Sequence, residues 1–224
     1  RGHEELVFGY DARLLRKVWI HRLPKGAPQV ADSVRRLGRM TRIRWLGGKR
    51  SDDANWDAYE APSGKPFLTL LSRRLVWGSV RYWLLDLAEE LRAGLKDESV
   101  PAVLGLDRIW ITADGRAKLL DFAAPETGGK TAAGTPATRA AASSVAGRLF
   151  LKQVAVAALE GRVPGADSAF GRPVAAPLPL HARCFIDRLA SLQDFGAVIE
   201  GLRPLLRRVA SVTRWRRAGL VALS

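Results

Sequence analysis

The sequence holds one cysteine, Cys184, one methionine, Met40, and three histidines. A single cysteine excludes an internal disulfide and suits a reducing compartment. His3, His21 and His181 are scattered, and with one cysteine they give no zinc-ligand spacing. No stretch reaches the roughly 20 consecutive apolar residues that span a bilayer. There is no signal-peptide pattern and the first residue is not Met, so the sequence reads as a piece of a longer protein. No internal repeat is visible. Acidic residues are missing from whole segments: residues 33–51 contain seven basic residues and no acid, and after Glu200 there are six arginines and no acid.

What is present follows from those gaps. The formal net charge is +14, and residues 1–50 alone contribute 13 basic against 4 acidic side chains. Such an excess favours anionic partners: acidic protein surfaces, lipid head groups or nucleic acid. Base-stacking aromatics interleaved with the basic residues would favour nucleic acid. Only Trp45 and Trp215 come near, so nucleic acid is the weakest of the three. At 224 residues the chain is long enough for one large core or two small lobes.

Along the chain, Leu6–Tyr10 and Lys17–His21 read as two strands of a hairpin joined by residues 11–16. Val34, Leu37, Met40 and Ile43 recur at helical spacing and predict a helix over 30–46. The turn residues Pro62-Ser63-Gly64-Lys65 predict a second hairpin between 56–61 and 66–71. Val80, Leu84, Leu87, Ala88 and Leu91 predict a helix over 77–95. The Asp114-Gly115 turn predicts a hairpin over 109–122. Residues 123–144 are rich in Ala, Gly, Thr and Pro and read as a flexible loop. Helices are predicted over 145–159, 181–192 and 195–212, the last interrupted at Pro204. Strands with one helix, then mostly helices, define an α+β chain.

The hairpin ends in Leu119-Leu120-Asp121-Phe122-Ala123, which resembles the magnesium-binding Asp-Phe-Gly hairpin of bacterial serine/threonine protein kinases. The resemblance implies a two-lobed kinase-like fold: an N-lobe of antiparallel sheet plus one helix over 1–71, and a mostly helical C-lobe over 72–200. A basic tail over 201–224 would follow. The fold would be truncated at both ends, its first strand lying before Arg1. Thirteen residues before Asp121, where the family has its second metal-binding Asn, stands Arg108. Five further back, at the catalytic Asp position, stands Val103, and Gly105 replaces the phosphate-contacting Lys. Lys17-Val18-Trp19-Ile20-His21 resembles the strand Val-Ala-Ile-Lys, with His21 at the phosphate-binding Lys and Trp19 at the small Ala beneath the adenine. No carboxylate lies between Asp32 and Asp52 to pair with that Lys position. Residues 1–7 resemble the tail of a glycine-rich phosphate loop, with Glu5 on a glycine position.

Phosphoryl transfer needs metal on the phosphates and a carboxylate that accepts the hydroxyl proton. Valine supplies neither, and arginine repels a cation. Catalytic residues are therefore expected to be absent and no cofactor is expected. Trp19 reads as a plug in the nucleotide pocket or as an ordinary core aromatic. His21 reads as a residual nucleotide contact or a tolerated cleft residue. Asp121 reads as a metal ligand or as a structural carboxylate at the hairpin end. The expectation is a catalytically inactive kinase-like binding or scaffold module. It would lie in the cytoplasm, at the membrane face, since arginines before the apolar run 218–223 resemble the cytoplasmic flank of a membrane helix. Its basic N-lobe helix would meet an acidic protein or an anionic membrane surface. One alternative is a divergent kinase that binds ATP and Mg through Asp121, with Lys17 or Arg16 replacing the lost Lys. The other is an unrelated basic domain for nucleic acid.

Overall fold

The computed structural model describes residues 5–125, 144–164 and 173–210. The phosphate-loop positions 1–4, most of the predicted loop 123–144 and the end of the basic tail, 211–224, lie outside the described residues. The described part is α+β: a four-stranded antiparallel sheet, a three-stranded antiparallel sheet and several helices.

The first hairpin pairs β1 (Glu5–Asp11) with β2 (Arg16–Arg22) in unbroken register, Phe8 opposite Trp19. Asp11 makes the turn by accepting the Arg13 and Leu14 amides at 3.1 and 3.2 Å, a local alternative to ladder pairing. These hydrogen bonds hold the Asp11 carboxyl below its usual range. β2 also pairs with β4 (Asn55–Glu60), which pairs in turn with β3 (Trp45–Arg50), giving the order β1-β2-β4-β3.

Two expectations need correction here. Residues 30–46 do not form a helix: only the single turn α1 (Asp32–Arg35) is helical. Gly38 interrupts the pattern, and residues 41–43 run extended beside a later strand. There Thr41 O accepts the Leu119 amide at 2.9 Å, and Ile43 N donates to Leu119 O at 3.2 Å. Tertiary pairing overrides a weak local helix preference. Residues 66–71 are not a strand either. Phe67–Ser72 is a 3₁₀ helix whose Phe67 and Leu71 both turn into the core. The turn residue Gly64 instead opens β5 (Gly64–Pro66), which joins β6 (Ile109–Thr112) and β7 (Ala117–Leu119) as the second sheet.

α2 (Trp77–Lys96) matches its prediction, and its buried stripe Val80, Leu84, Leu87, Leu91 packs against α3 (Ser144–Glu160) and α5 (Phe195–Leu205). Its polar side chains anchor the neighbours. Arg81 donates to Leu205 O and Arg208 O at 2.7 and 2.8 Å, satisfying carbonyls at the end of α5. Buried Asp86 accepts from Arg116 and from the Ala117 amide at 2.9 Å, and Trp83 Nε1 donates to Gly115 O at 2.9 Å. The β6–β7 hairpin is thus fixed to α2 before it reaches Asp121. α4 (Leu180–Arg188) continues into a 3₁₀ turn, Leu189–Ser191. α5, capped by Asp194 on the Ala197 amide at 2.8 Å, stops at Leu205, short of the predicted 212. Among the described residues no helix is long and apolar enough to cross a membrane.

Gly161 ends α3 at φ +70°, and a Cβ there would lie 2.5 Å from the Arg73 carbonyl carbon. Gly161→Ala is therefore expected to cost about 1–3 kcal/mol. Urea denaturation checks this as a lower midpoint at unchanged slope.

Candidate functional site

A second, smaller core lies between the two sheets and gathers Trp19, Ile43, Tyr59, Trp110, Leu120, Phe122 and Ala124. Strand alternation sets it up: Trp19 and His21, two apart on β2, share one face. Trp19 is 1% exposed. Its indole stands edge-on to Trp110 with centroids 4.8 Å apart, 6.1 Å from Phe122 and 6.5 Å from Phe8. Tyr59 and His21 contact Phe122 at 4.8 and 5.2 Å. Three rings from two strands, Trp19 and His21 of β2 and Tyr59 of β4, therefore close on the residue that follows Asp121. The Trp19 and Trp110 indole N–H groups are buried without a hydrogen-bond partner. Burial, with the Asp121 and Asp57 carboxylates nearby, raises the Tyr59 phenol far above its usual range.

Beside this aromatic layer runs a charged one. Arg42, 1% exposed, pairs with Asp121 Oδ1 and lies 3.6 Å from Glu90 of α2. Glu90 also accepts from Arg39 at 2.8 Å and from Thr41 Oγ1 at 2.7 Å. Arg39 reaches on to Asp97 at 2.7 Å and Ser99 at 2.6 Å. Burial works against the Asp97 carboxylate, but hydrogen bonds from Ser99 and Arg39 and the charge of Arg39 outweigh it and hold its pKa low. On the other side of Asp121, Arg108 donates to its main-chain carbonyl. The Ala124 amide donates to Asp107 O at 2.7 Å and closes the turn.

The structure thus brings Trp19, His21 and Asp121 together. Val103 stands half-buried in the loop before the 3₁₀ turn Leu106–Arg108 and carries no titratable group. Asp121 keeps one oxygen, Oδ2, without a partner, while Arg42 holds the other. Two guanidinium groups at Asp121 make a donor set that does not suit Mg²⁺, which takes carboxylates, phosphates and water. Among the described residues no group of three His, Cys, Asp or Glu side chains is placed to hold a metal.

The basic run 33–51 is not the free cationic helix its sequence suggests. Arg35 lies over Trp45 at 5.4 Å and bonds Gln29 at 2.6 Å, and Arg39 and Arg42 are paired as above. Arg50 pairs with buried Asp57 at 2.7 Å and donates to four main-chain carbonyls, those of Ala27, Pro28, Lys49 and Trp56. Arg36, Arg44 and Lys49 remain exposed, with no ion pair among the described residues. Sequence reading missed Arg42, Tyr59, Trp110 and Glu90 as parts of the site. The signal available for Arg42 was indirect: Asp86 and Glu90, four apart, sit on the buried stripe of α2, and buried carboxylates require cations from elsewhere in the chain.

Compared with known proteins, the chain matches no family model and no curated protein.

Proposed function

We propose that the chain is a protein-kinase-like domain that does not transfer phosphate and works by binding other molecules, as a scaffold or recognition module. The observation that carries the reading is Trp19. Its indole is buried beneath the sheet against Trp110 and against Phe122, the residue after Asp121, where the resemblance puts adenine. Three further features support it. Arg42 occupies the carboxylate that would hold metal, Arg108 stands at the second metal position, and Val103 supplies no base. A site that holds neither nucleotide nor metal leaves surface recognition as the function. Tethering at the cytoplasmic face of a membrane, through the basic tail, belongs to the same proposal.

Thermal denaturation with ATP, with and without Mg²⁺ or Mn²⁺, tests it. A ligand that binds only the folded state raises the melting temperature. No shift is expected for the parent chain, and a shift is expected for Trp19→Ala. A metal-dependent shift in the parent would overturn the proposal and favour the divergent-kinase reading. In that reading Lys17 would have to supply the missing cation, because Arg16 is paired with Asp11 at 3.4 Å.

A further inference from the structure

Between the 38–44 segment, the end of β4 and the β6–β7 turn lies a groove of about 480 Å³. Its walls include Arg39, Met40, Arg44, Glu60, Asp114 and Lys118. Lys118 is the informative residue. It is only 9% exposed, yet among the described residues its ammonium makes a single long hydrogen bond, 3.4 Å to Arg42 O, and no ion pair. A buried ammonium normally has a carboxylate partner, since desolvating an uncompensated charge is costly. Arg116 and Arg42, its neighbours in the fold, do have such partners. Arg44, on the same groove, is exposed and also carries no ion pair among the described residues. Met40 is 73% exposed at the rim, a flexible apolar side chain able to adapt to a partner.

We infer that this groove is a docking site for an acidic segment of a partner protein, one carboxylate meeting Lys118 and Arg44 and an adjacent apolar side chain resting on Met40. The other groups on the walls choose the class of ligand. Glu60 and Asp114 on the same walls offset the charge of the two cations, so the groove suits a single carboxylate better than a dianion or a run of phosphates. Arg39 adds no free charge because Glu90 and Asp97 hold it. Nucleic acid would want several unpaired cations and a stacking ring, and the exposed aromatics Phe8, Tyr10 and Tyr82 are not among the groove residues. The volume is that of a small-ligand or side-chain pocket, suited to a few residues of an extended chain. The inference rests on the binding-module reading only in that the chain acts by binding. A nucleotide shift in the parent would leave the groove standing, and loss of the groove would leave the nucleotide result standing.

Fluorescence anisotropy with a labelled acetyl-Leu-Glu-Leu-Glu-amide peptide is the test. The comparison ligands are its Leu-Gln-Leu-Gln counterpart, inorganic phosphate and short oligothymidylate. The parent should bind the glutamate peptide and not the glutamine one, and added salt should weaken the complex. Arg44→Glu and Lys118→Met should each lower affinity about tenfold or more, as loss of a charge-assisted contact does. Lys49→Glu makes the same charge change as Arg44→Glu at a residue outside the groove and should leave affinity unchanged, separating a site from the general excess of positive charge. Lys118→Met should also keep or raise the melting temperature, because it removes a buried cation that has no carboxylate partner among the described residues. A purely structural lysine would lower it. Arg44 is exposed, so its variant keeps the test open if Lys118→Met misfolds. No binding by the parent would overturn the inference. So would equal binding by the Arg44 and Lys118 variants, or tighter binding of phosphate or oligothymidylate with the same residue dependence.

Discussion

Arg42→Ala is expected to lose about 3–5 kcal/mol of folding stability, the range for removing one partner of a buried ion pair. The guanidinium is 1% exposed and faces Asp121 and Glu90 together. Alanine would leave Asp121 with no side-chain partner and Glu90 with only Arg39 and Thr41. Glu90 is itself 1% exposed, so its carboxylate would stay in the interior with one cation fewer beside it. The main-chain bridge between Arg42 and Leu119 does not use the side chain and would survive, so the loss reports the charge and not the strand. Urea denaturation should show a lower midpoint with an unchanged slope. Combining Arg42→Ala with Asp121→Ala should cost less than the sum of the two, with a coupling of about 0.5–3 kcal/mol. Arg44→Ala, two residues on and exposed, should stay within about 0.5 kcal/mol of the parent. A similarly small effect for Arg42→Ala would mean that Asp121 does not depend on this cation, and would count against the proposal that a guanidinium stands where a kinase-like site would hold metal.

That pair also shows why part of the fold was legible in the sequence and part was not. α2 could be read because its burial follows the helical period, α3 because it is a long apolar run closed by Gly161 and buried on most sides, and the β6–β7 hairpin because Asp114-Gly115 favours a tight turn, with Gly115 at φ +81°. Trp19, His21 and Asp121 were picked out by a motif resemblance, but the packing of Trp19 and His21 on Phe122 was not read from the sequence. The segment 30–46 could not be read the same way. Val34, Leu37, Met40 and Ile43 have helical spacing, but the structure buries Ile43 and leaves Met40 exposed, a division that no single helix face makes. The segment's path is set by Arg39 and Arg42 reaching carboxylates on α2 and at Asp121, partners at least 48 residues away in the chain, since Arg42 meets Glu90 and Asp121. β3 was hidden for a related reason. Its Gly47-Gly48 pair reads as a breaker, yet a Cβ on Gly48 would come within 2.3 Å of Asp57 Oδ1, so glycine is there to admit the buried Asp57–Arg50 pair. Long-range ion pairs leave no periodic trace, and they fix the site's charged layer.

Trp19→Ala is expected to cost about 3–5 kcal/mol, the range for deleting a large buried aromatic. Stability alone does not separate a plug from an ordinary core residue, because both lose the same packing. The shape of the vacated space does. It would be walled by Phe8, Trp110 and Phe122, all edge-on to the indole they now pack against, so the vacated space has the shape of a flat ring. If Trp19 stands in for adenine, adenosine or ATP should restore part of the lost melting temperature in the variant, by about 1.4 kcal/mol at ten times Kd. The charged layer predicts how. In the proposed kinase-like reading His21 stands at the phosphate-binding Lys position and Arg42 already holds Asp121, so little remains for phosphates and nothing suited for Mg²⁺. Adenosine should therefore stabilise Trp19→Ala about as well as ATP does, and Mg²⁺ should add nothing. Trp19→Leu, which keeps the space partly filled, should cost less and respond less. Stabilisation of Trp19→Ala by ATP only when Mg²⁺ is present would mean that Asp121 can release Arg42 to hold metal. The chain would then be a kinase site blocked at one residue, not one rebuilt around a guanidinium.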